Sequence, residues 1–383
     1  MATLKITQKP LTIFYMLCVS TAALTLIGLV MVFSASSIHS LATKGTTWGI
    51  FIRQFAFALL SIPLAIVVAR TKLDKWHTLA RFGLPLSIIL LLLVRVPGLG
   101  KAVNGNRNWI KLGPIDVQPS ELVKFALILW AAASLAKYER AGMSRINSLA
   151  ILAPGFIIAI GLVLLGKDLG TAAVIAAILG GLLFVSGIHL QLFGVALAGG
   201  FLALSFFIVT ASYRINRFLV VLNPFSPDDY KNAGWQPAHS LLGLASGGLF
   251  GVGLGASRQK WGNLAEAHTD FIFSVIGEEL GLFGTILVLA LLAVLIFSIF
   301  HIAMRTNDSF SRFAASGIGC WLSIQIILNI GSAISVLPVV GVTLPLVSYG
   351  GSALVSTYIA LGFVAGIALR DPVVREELRQ RHL

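Results

Sequence analysis

The chain has 383 residues, of which 57% are hydrophobic and only 11% are charged, and its mean hydropathy is +0.92. Apolar runs of about 20 residues recur along it, and each matches the thickness of a bilayer core. This composition excludes a soluble domain, and the net charge of +13 is scattered along the chain instead of forming the single basic patch of a nucleic-acid-binding protein. We therefore predict an all-α polytopic membrane protein with one integral-membrane domain over residues 1–383.

Ten membrane spans are predicted from the apolar runs and from the glycine, proline and charged residues that separate them. They cover residues 11–36, 48–70, 76–97, 118–137, 147–166, 168–188, 190–211, 271–303, 312–337 and 346–369. The longest connection, 212–270, joins the seventh and eighth spans and is too long for a plain loop. We expect a large extracytoplasmic loop with structure of its own, including a short amphipathic helix over 235–246.

The basic residues predict how the spans are oriented. An even number of spans places both termini on one side of the membrane. Lysines and arginines gather near the N-terminus, in the short loops 70–81 and 137–145, and in the tail 370–381. Because cytoplasmic loops carry an excess of these residues, we expect both termini to be cytoplasmic.

Further bases fall on the predicted outer side. Arg107 and Lys111 follow the third span, and Arg214 and Arg217 follow the seventh. These residues could simply be solvated, once the first spans have set the orientation. They could instead hold an anionic ligand, since Arg and Lys are the usual partners of phosphate.

Two short polar segments adjoin spans. The fourth span opens with Pro119 in its first turn, and Glu121 and Lys124 then share one helix face. The pair could form an internal salt bridge that lets a helix end lie in the membrane, or either residue could be catalytic. Lys167 and Asp168, between the fifth and sixth spans, have the same two readings.

Four carboxylates and a histidine are concentrated at the start of the eighth span: Glu266, His268, Asp270, Glu278 and Glu279. Ionisable groups are costly where a chain enters lipid, so this cluster needs charge pairing, a water-filled cavity or a chemical role. Asp270 stands at the outer mouth of the span. Glu278 and Glu279 lie about two turns further in, where we expect them to pack or to join a polar network.

The segment 246–255 is rich in glycine. No strand precedes it and no Gly-Lys-Ser/Thr closes it, so a Rossmann or P-loop nucleotide site is excluded. It could let the backbone approach a head group, or it could merely turn tightly.

Six segments form a pattern that extends over most of the chain: NGNRNWI (104–110), QPSELVK (118–124), GKDLGT (166–171), SGGLFGVGLG (246–255), EAHTDFIF (266–273) and LPLVSYGGS (344–352). Together they resemble the SEDS family of bacterial cell-wall proteins. Ala267 and Thr343 resemble the division branch, since the elongation branch usually has Gln at the first position, and the segment 104–109 resembles actinobacterial members. Ala265 departs from the family, which usually has Pro there, so the local turn is expected to differ.

This resemblance implies a peptidoglycan glycosyltransferase that polymerises lipid II, a disaccharide-pentapeptide joined through pyrophosphate to a polyprenyl chain, during cell division. The catalytic aspartate of the family carries over to Asp270, as general base toward the acceptor sugar, and Lys124 is expected to face it. The residues expected around the substrate are Arg107, Lys111, Glu121, Lys167, Arg214, Arg217, Glu266, His268, Ser348, Gly350 and Gly351.

The resemblance also implies partners and a location. A divalent cation, Mg²⁺ or Mn²⁺, could bind between Asp270 and the pyrophosphate, and no organic cofactor is expected. The expected partners are lipid II, membrane lipids, a single-pass class B penicillin-binding protein that cross-links the product, and other divisome proteins. The expected place is the division septum in the cytoplasmic membrane.

Two other functions remain open from the sequence. A lipid II flippase would use the same cationic outer face without an essential base, although no convincing inverted repeat accompanies it. A non-catalytic scaffold would only position and activate the transpeptidase. The scaffold role is also compatible with the enzyme.

Overall fold

The computed structural model describes residues 10–103, 106–113, 115–142, 147–210 and 212–381. These residues form a bundle of long helices with one small sheet. The helices are α1 (Pro10–Lys44), α2 (Gly49–Arg70), α3 (Leu73–Ala80), α4 (Gly83–Leu93), α5 (Pro119–Arg140), α6 (Asn147–Leu165), α7 (Leu169–Val185), α8 (Leu190–Val209), α9 (Ser212–Leu219), α10 (Trp235–Ser246), α11 (Ile272–Arg305), α12 (Ser309–Ala333), α13 (Gly351–Arg370) and α14 (Pro372–Arg381).

Each predicted span coincides with apolar helix. Among the described residues, seven helices are long and apolar enough to cross a bilayer, and the bent pair α3–α4 makes an eighth. The helix α7 and the stretch Leu190–Ala203 of α8 are shorter apolar helical segments, and they correspond to the sixth and seventh predicted spans. The helical membrane architecture expected from the sequence is therefore confirmed.

The third predicted span, 76–97, is not one straight helix. Its two parts, α3 and α4, are bent by 57°. At the bend, Gly83 lies so close to α5 that a Cβ atom there would be 2.3 Å from the carbonyl oxygen of Ala126. The bend follows from this close packing between helices, which the hydropathy pattern does not contain.

The core of the bundle lies among α5, α12, α13 and the first turns of α11, where most side chains are buried. The rings of Trp76, Phe125 and Phe363 join α3, α5 and α13 by edge-to-face contacts with centroids 5.3–6.0 Å apart. The helix α8 lies at the periphery, with Phe201 and Phe206 about three-quarters exposed. An outward apolar face of this kind suits contact with lipid.

A three-stranded antiparallel sheet precedes α5, and the sequence analysis did not predict it. Its strands β1 (Gly100–Val103), β2 (Asn106–Leu112) and β3 (Ile115–Val117) are paired in chain order. An exposed salt bridge between Lys101 and Asp116 joins the outer strands, with 2.7 Å between Nζ and Oδ2. Residues 104–105, between β1 and β2, lie outside the described residues.

The long connection 212–270 contains α9, α10 and a 3-10 turn at Gln259–Trp261. The helix α10 has the bounds that the sequence predicted. It is fixed to the bundle through Ser240, whose hydroxyl lies 2.5 Å from that of Ser274 on α11 and donates to Ala333 O on α12 at 2.6 Å. The connection is therefore a folded part of the bundle, and its helix α10 packs against α11.

The helix α11 is broken at Gly281, which has φ 68° and ψ −163°. A break inside a helix leaves backbone donors and acceptors without their usual partners, and these must be satisfied by protein in a membrane. The glycine-rich segment 246–255, called here the glycine segment, supplies them. Four hydrogen bonds join the two backbones: Val252 N to Glu278 O at 2.9 Å, Gly253 N to Glu279 O at 3.1 Å, Leu282 N to Gly248 O at 2.9 Å and Phe283 N to Leu249 O at 3.2 Å.

The glycines of this segment allow the close approach. A Cβ atom on Gly247 would lie 1.9 Å from Gly277 O, and one on Gly251 would lie 2.2 Å from Glu279 O. Gly251 also has a positive φ of 80°. The sequence offered an approach to a head group or a tight turn, whereas the close backbone approach seen in the structure is made to α11.

Candidate active site

Asp270 lies two residues before the start of α11, in a tight turn. The turn is built on Glu266, whose backbone is left-handed with φ 56°. Its carbonyl oxygen accepts the N–H groups of Thr269, Asp270 and Phe271 at 3.1, 3.1 and 3.3 Å. The Thr269 hydroxyl also donates to the Glu266 carboxylate at 2.9 Å. Such a turn fixes the direction in which the Asp270 side chain leaves the backbone.

Two residues of the distant segment 329–342 complete this environment. The Asn329 amide on α12 donates to Asp270 O at 2.9 Å and to Val342 O at 2.7 Å, which ties the turn to the chain after α12. Gly341 has φ 72°, and a Cβ atom there would be 3.7 Å from Asp270 Oδ2. Sequence reasoning missed both residues, and the one available signal was a buried Asn inside an apolar span.

The Asp270 carboxylate makes no hydrogen bond or ion pair with another described residue. Its pKa is raised to about 7, mainly by burial and also by the negative charges of Glu266 and Asp168, while the positive charge of Arg217 opposes the rise. A carboxylate with this pKa is a stronger base than an ordinary aspartate and is still substantially ionised at neutral pH. These are the properties that a general base needs.

Lys124 makes none of its observed contacts with Asp270, and its expected position facing the aspartate stays a prediction. Its Nζ forms a salt bridge with Glu121 Oε1 at 2.8 Å and donates to Gln325 Oε1 at 3.1 Å. The ammonium group also lies 4.8 Å from the centre of the Trp321 ring. The pair is almost fully buried within the bundle, and these neighbours together satisfy the charge of Lys124. The alternative reading, an internal salt bridge, is confirmed.

Asp168 connects three elements around the site. Its carboxylate caps α7 by accepting the N–H of Thr171 at 2.9 Å, and it also accepts from Asn108 on β2 at 3.1 Å and from Gln118 at 3.3 Å. Burial is the main cause that raises its pKa. The neighbouring Lys167 is exposed and has a left-handed backbone with φ 64°. Asp168 therefore fixes the sheet beside the bundle, while Lys167 is open to a ligand.

His268 is buried between two rings. Its imidazole stacks on that of His39, with centroids 5.4 Å apart, and lies 5.6 Å from the ring of Tyr349. Its pKa is lowered to about 4, mainly by burial and also by His39 and Lys44, while the negative charge of Glu266 opposes that shift. The imidazole is therefore neutral at pH 7, so it can offer a hydrogen bond but no positive charge to a substrate.

Ser348, Gly350 and Gly351 hold the backbone beside the site. The Ser348 hydroxyl donates to Thr269 O at 2.6 Å and accepts from Leu344 N at 2.9 Å. The N–H of Gly350 donates to the Gln54 side chain at 3.2 Å. A Cβ atom on Gly351 would lie 2.4 Å from the ring of Phe57, so glycine is needed for α13 to pack on α2. Their observed contacts are structural.

The basic residues are distributed over two elements. Arg107 on β2 is half-buried and lies 3.5 Å from Val96 O, whereas Lys111 on the same strand is exposed. Arg217 on α9 is exposed and lines a cavity of about 370 Å³ together with Lys231. Arg214 lies on α9 as well, but its side chain is outside the described part of the chain. Arg217 is the basic residue whose charge acts on Asp270, and Lys231 is a neighbour that sequence reasoning did not select.

The chain is similar to known proteins in sequence and in structure. The sequence profile of the FtsW/RodA/SpoVE family, described as cell cycle protein, matches residues 14–371. The chain belongs to this family. Two of its relatives are named "Probable peptidoglycan glycosyltransferase FtsW". The protein of Coxiella burnetii is 40% identical over 91% of this chain and 94% of its own length. The protein of Mycobacterium tuberculosis is 37% identical over 97% of this chain and 70% of its own length.

Two solved structures of the family share the fold. One belongs to a study of the structural coordination of polymerization and crosslinking by a peptidoglycan synthase complex, with 30% identity, a TM-score of 0.73, and coverage of 92% of this chain and 96% of that chain. The other is the rod shape determining protein RodA of Thermus thermophilus, with 29% identity, a TM-score of 0.68, and coverage of 92% and 95%. Both structures align with nearly the whole length of this chain.

Glu278 and Glu279 are structural in this family member, as expected. Glu278 accepts from the Ser257 hydroxyl at 2.5 Å and from Arg258 N at 2.9 Å. Glu279 forms a buried salt bridge with Lys260 at 3.1 Å and accepts from the Ser34 hydroxyl at 2.7 Å. The two carboxylates thus fix the loop after the glycine segment to α11 and α1. Every oxygen has a protein partner, which leaves neither group free for chemistry.

The described residues contain no group of three His, Cys, Asp or Glu side chains that could hold a metal ion by themselves. Asp270 is a single hard oxygen donor. Magnesium ions are commonly held by one or two carboxylates together with substrate phosphates. The residues present therefore fit a cation shared between Asp270 and a bound pyrophosphate, and they do not fit a cage made of protein alone.

Proposed function

We propose that this chain is a membrane peptidoglycan glycosyltransferase that polymerises lipid II during cell division, with Asp270 as the general base. Its membership of a family whose relatives are named peptidoglycan glycosyltransferases supports the reaction. The observation that carries the assignment of the base is the Asp270 carboxylate, which has no partner among the described side chains and a pKa near 7.

The reaction needs one base. Asp270 takes the proton from the acceptor sugar 4-hydroxyl as that oxygen attacks the anomeric carbon of the lipid-linked donor. The new carbon–oxygen bond forms as the bond to the pyrophosphate breaks, and the polyprenyl pyrophosphate leaves with the bonding electrons. A single displacement inverts the anomeric centre, which converts an α-linked phosphate into a β-linked polymer. A second carboxylate is not required, unlike in ordinary glycoside hydrolysis.

The pyrophosphate requires cations, and Arg217 and Lys231 are placed to supply them. Both line the 370 Å³ cavity, whose wall also includes Gln236 and Val339. Val339 lies two residues before Gly341, which adjoins the Asp270 carboxylate. An anion in this cavity would therefore bind close to the base, held by charge-assisted hydrogen bonds. Lys111 and Lys167, which are exposed at the same end, are further candidates for the anionic part of the substrate.

A divalent cation bound jointly by Asp270 and the pyrophosphate is part of the proposal. Such an ion would neutralise charge on the leaving pyrophosphate. The protein residues would still position the substrate and accept the proton. The proposed reaction needs no organic cofactor, because the bond that forms and the bond that breaks both join atoms of the two substrates.

The proposed orientation places both termini in the cytoplasm and Asp270 at the outer face. Pro10 at the start of α1 and Arg370 at the end of α13 line the same cavity, so the start of the first helix and the end of α13 lie on the same side of the bundle. Arg70, Arg140, Arg305 and Arg370 all end helices of the bundle. An excess of arginine of this kind is typical of cytoplasmic ends. Placement at the division septum follows from the proposed role in division.

The proposed partner is a class B penicillin-binding protein that cross-links the polymer, together with other divisome proteins. Support comes from the solved peptidoglycan synthase complex, in which polymerization and crosslinking are coordinated. Exposed apolar faces of the spans, such as that of α8, would allow lipid or a single-pass helix to pack on the bundle.

The test compares two isosteric variants of the purified protein with its transpeptidase partner and labelled lipid II. Asp270→Asn should abolish glycan polymer formation, because Asn cannot accept the proton. Asp228→Asn, an exposed change in the same loop, is the matched control and should leave polymerisation intact. Both variants should keep the wild-type thermal unfolding at low pH and should bind the partner.

Polymer made equally well by Asp270→Asn would overturn the role of Asp270 as the base. Movement of lipid II across vesicles by a chain that makes no polymer would favour the flippase. Stimulation of the partner's cross-linking by a polymerase-dead chain would show the scaffold role separately.

A further inference from the structure

A second cavity, called here the terminal cavity, lies at the opposite end of α11 from Asp270. Its volume is about 430 Å³, and it lies where the ends of α11 and α13 meet the starts of α1, α12 and α14. Part of its wall is apolar, formed by Ile13, Leu73, Ile302, Ile367 and Val374. The remainder carries four charged side chains and a histidine: Arg305, Asp308, Arg370, Asp371 and His301. The reaction proposed for Asp270 uses none of them.

The two carboxylates of the terminal cavity are already occupied. Asp308 and Asp371 each cap the helix that follows, and each lies beside an arginine. Asp308 Oδ2 accepts from Ser311 N at 2.8 Å, and Asp308 Oδ1 lies 3.5 Å from Arg140 Nη2. Asp371 Oδ1 accepts from Val373 N at 2.9 Å, and Asp371 Oδ2 lies 3.6 Å from Arg305 Nε. Their negative charges are therefore balanced within the protein and do not satisfy the other polar groups of the wall.

Two side-chain nitrogen atoms on residues of the same wall have no hydrogen-bond partner in the described part of the chain. Arg370 uses Nη2 to cap the end of α2, through Ala69 O at 3.5 Å and Thr71 O. Its Nη1 is buried and has no hydrogen-bond partner among the residues that the structure describes, and the same is true of His301 Nε2. A buried donor without a partner is costly, and more so when it carries charge. Both groups line one cavity, so a single acceptor there could satisfy them together.

We propose that the terminal cavity binds a phosphate group, with Arg370 Nη1 and His301 Nε2–H as donors to its oxygens. Arg suits phosphate because its planar guanidinium presents parallel donors. The cavity lies at the ends of membrane spans, which is the level of phospholipid head groups, and its apolar wall suits a glycerol and acyl chain. A phospholipid bound there would join α13 to α11 and hold the start of α14. This inference is independent of the glycosyltransferase reaction.

The experiment is native mass spectrometry of the purified full chain in detergent, titrated with phosphatidylglycerol and, in parallel, with diacylglycerol. Arg370→Gln should weaken binding of phosphatidylglycerol by roughly tenfold, the effect of one charge-assisted hydrogen bond. His301→Leu removes the second donor without touching the cap of α2 and should also weaken binding. Asn307→Asp adds a negative charge to the exposed wall with no change of shape, and it should weaken binding through repulsion.

Arg379→Gln is the matched control, because it removes the same charge from an exposed position on α14 outside the cavity wall. It should bind phosphatidylglycerol like the wild type, and diacylglycerol should bind equally to all variants. Competition by inorganic phosphate would show that the phosphate alone is recognised, and its failure to compete would show that the acyl chains contribute. Equal binding of phosphatidylglycerol to the wild type and to all three cavity variants would overturn the proposal, since a cavity filled only by water predicts that result.

Discussion

Lys124 and Glu121 form a buried ion pair one helical turn apart on α5, with 2.8 Å between Nζ and Oε1. Gln325 on α12 accepts from Lys124 and donates to Thr343 O at 3.0 Å, so the pair is linked to the chain that runs beside Asp270. The Ser356 hydroxyl also contacts Glu121 at 3.4 Å. These contacts connect Lys124 to the site through α12 and the segment after it.

Removing Lys124 should destabilise the protein. Lys124→Ala leaves the Glu121 carboxylate buried without its counter-charge, a change that typically costs about 3–5 kcal/mol of unfolding free energy. The double variant Glu121→Gln with Lys124→Met should recover most of that loss, because it removes both charges. Thermal unfolding of the purified variants measures this. If Lys124→Ala kept wild-type stability and lost polymerisation, Lys124 would have a direct part in the chemistry.

Polymerisation should rise with pH as Asp270 ionises, with a midpoint about 7. Glu266→Gln removes a negative neighbour that raises this pKa, so its midpoint should move to lower pH. Arg217→Gln removes the opposing positive charge and should move the midpoint to higher pH, whatever its effect on the maximal rate. Asp228→Asn is the control for a change of loop charge. Rate profiles that superimpose for all these variants would assign the titration to a different group.

The raised pKa of Asp270 also has a consequence for stability. The folded state holds the proton up to about pH 7, whereas the unfolded state releases it near 3.8. The folded protein therefore binds more protons in this window, and its stability falls as pH rises from about 4 to 7. Asp270→Asn lacks this loss. Its Tm should match the wild type at pH 4 and exceed it at pH 8, and a constant difference between the two proteins would contradict the assignment.

The membrane spans could be predicted because hydropathy is a local property of the sequence. The ion pair of Glu121 with Lys124 could be offered as one of two alternatives for the same reason, since residues three positions apart on a helix share a face. The bend before Gly83 could not be predicted, because it depends on contact with a helix more than forty residues away. The short strand β2, with Asn and Lys among its apolar residues, also has too little alternation to be recognised.

The candidate site also has one part that could be predicted from the sequence and another that could not. Asp270 could be selected from its place in a cluster of ionisable residues and from the family resemblance. Its environment could not, because Asn329 and Gly341 reach it from the segment 329–342 and Arg217 acts on it from α9. The packing gives Lys124 the neighbours Glu121, Gln325 and Trp321, and the sequence could offer only Glu121, because the other two lie on a distant helix.

Gly281 should tolerate no side chain. Its φ of 68° is unfavourable for other residues, and a Cβ atom there would lie 2.3 Å from Gly251 N and 2.6 Å from Leu249 O. Gly281→Ala would push the glycine segment away from α11 and break the hydrogen bonds that satisfy the interrupted helix. We expect a loss of at least about 2 kcal/mol of unfolding free energy, since strain and unpaired backbone groups add together.

The matched control is Gly180→Ala on α7. There the only near neighbour of a new Cβ atom among the described residues would be Leu197 Cδ2 at 3.8 Å, which is ordinary contact. Alanine also favours helix over glycine by about 1 kcal/mol, so this variant should be as stable as the wild type or more so. Thermal unfolding of both variants, with hydrogen exchange of residues 246–255, measures the effect. If Gly281→Ala unfolded like Gly180→Ala and its exchange at 246–255 were unchanged, the glycine segment would not be what holds the broken helix together.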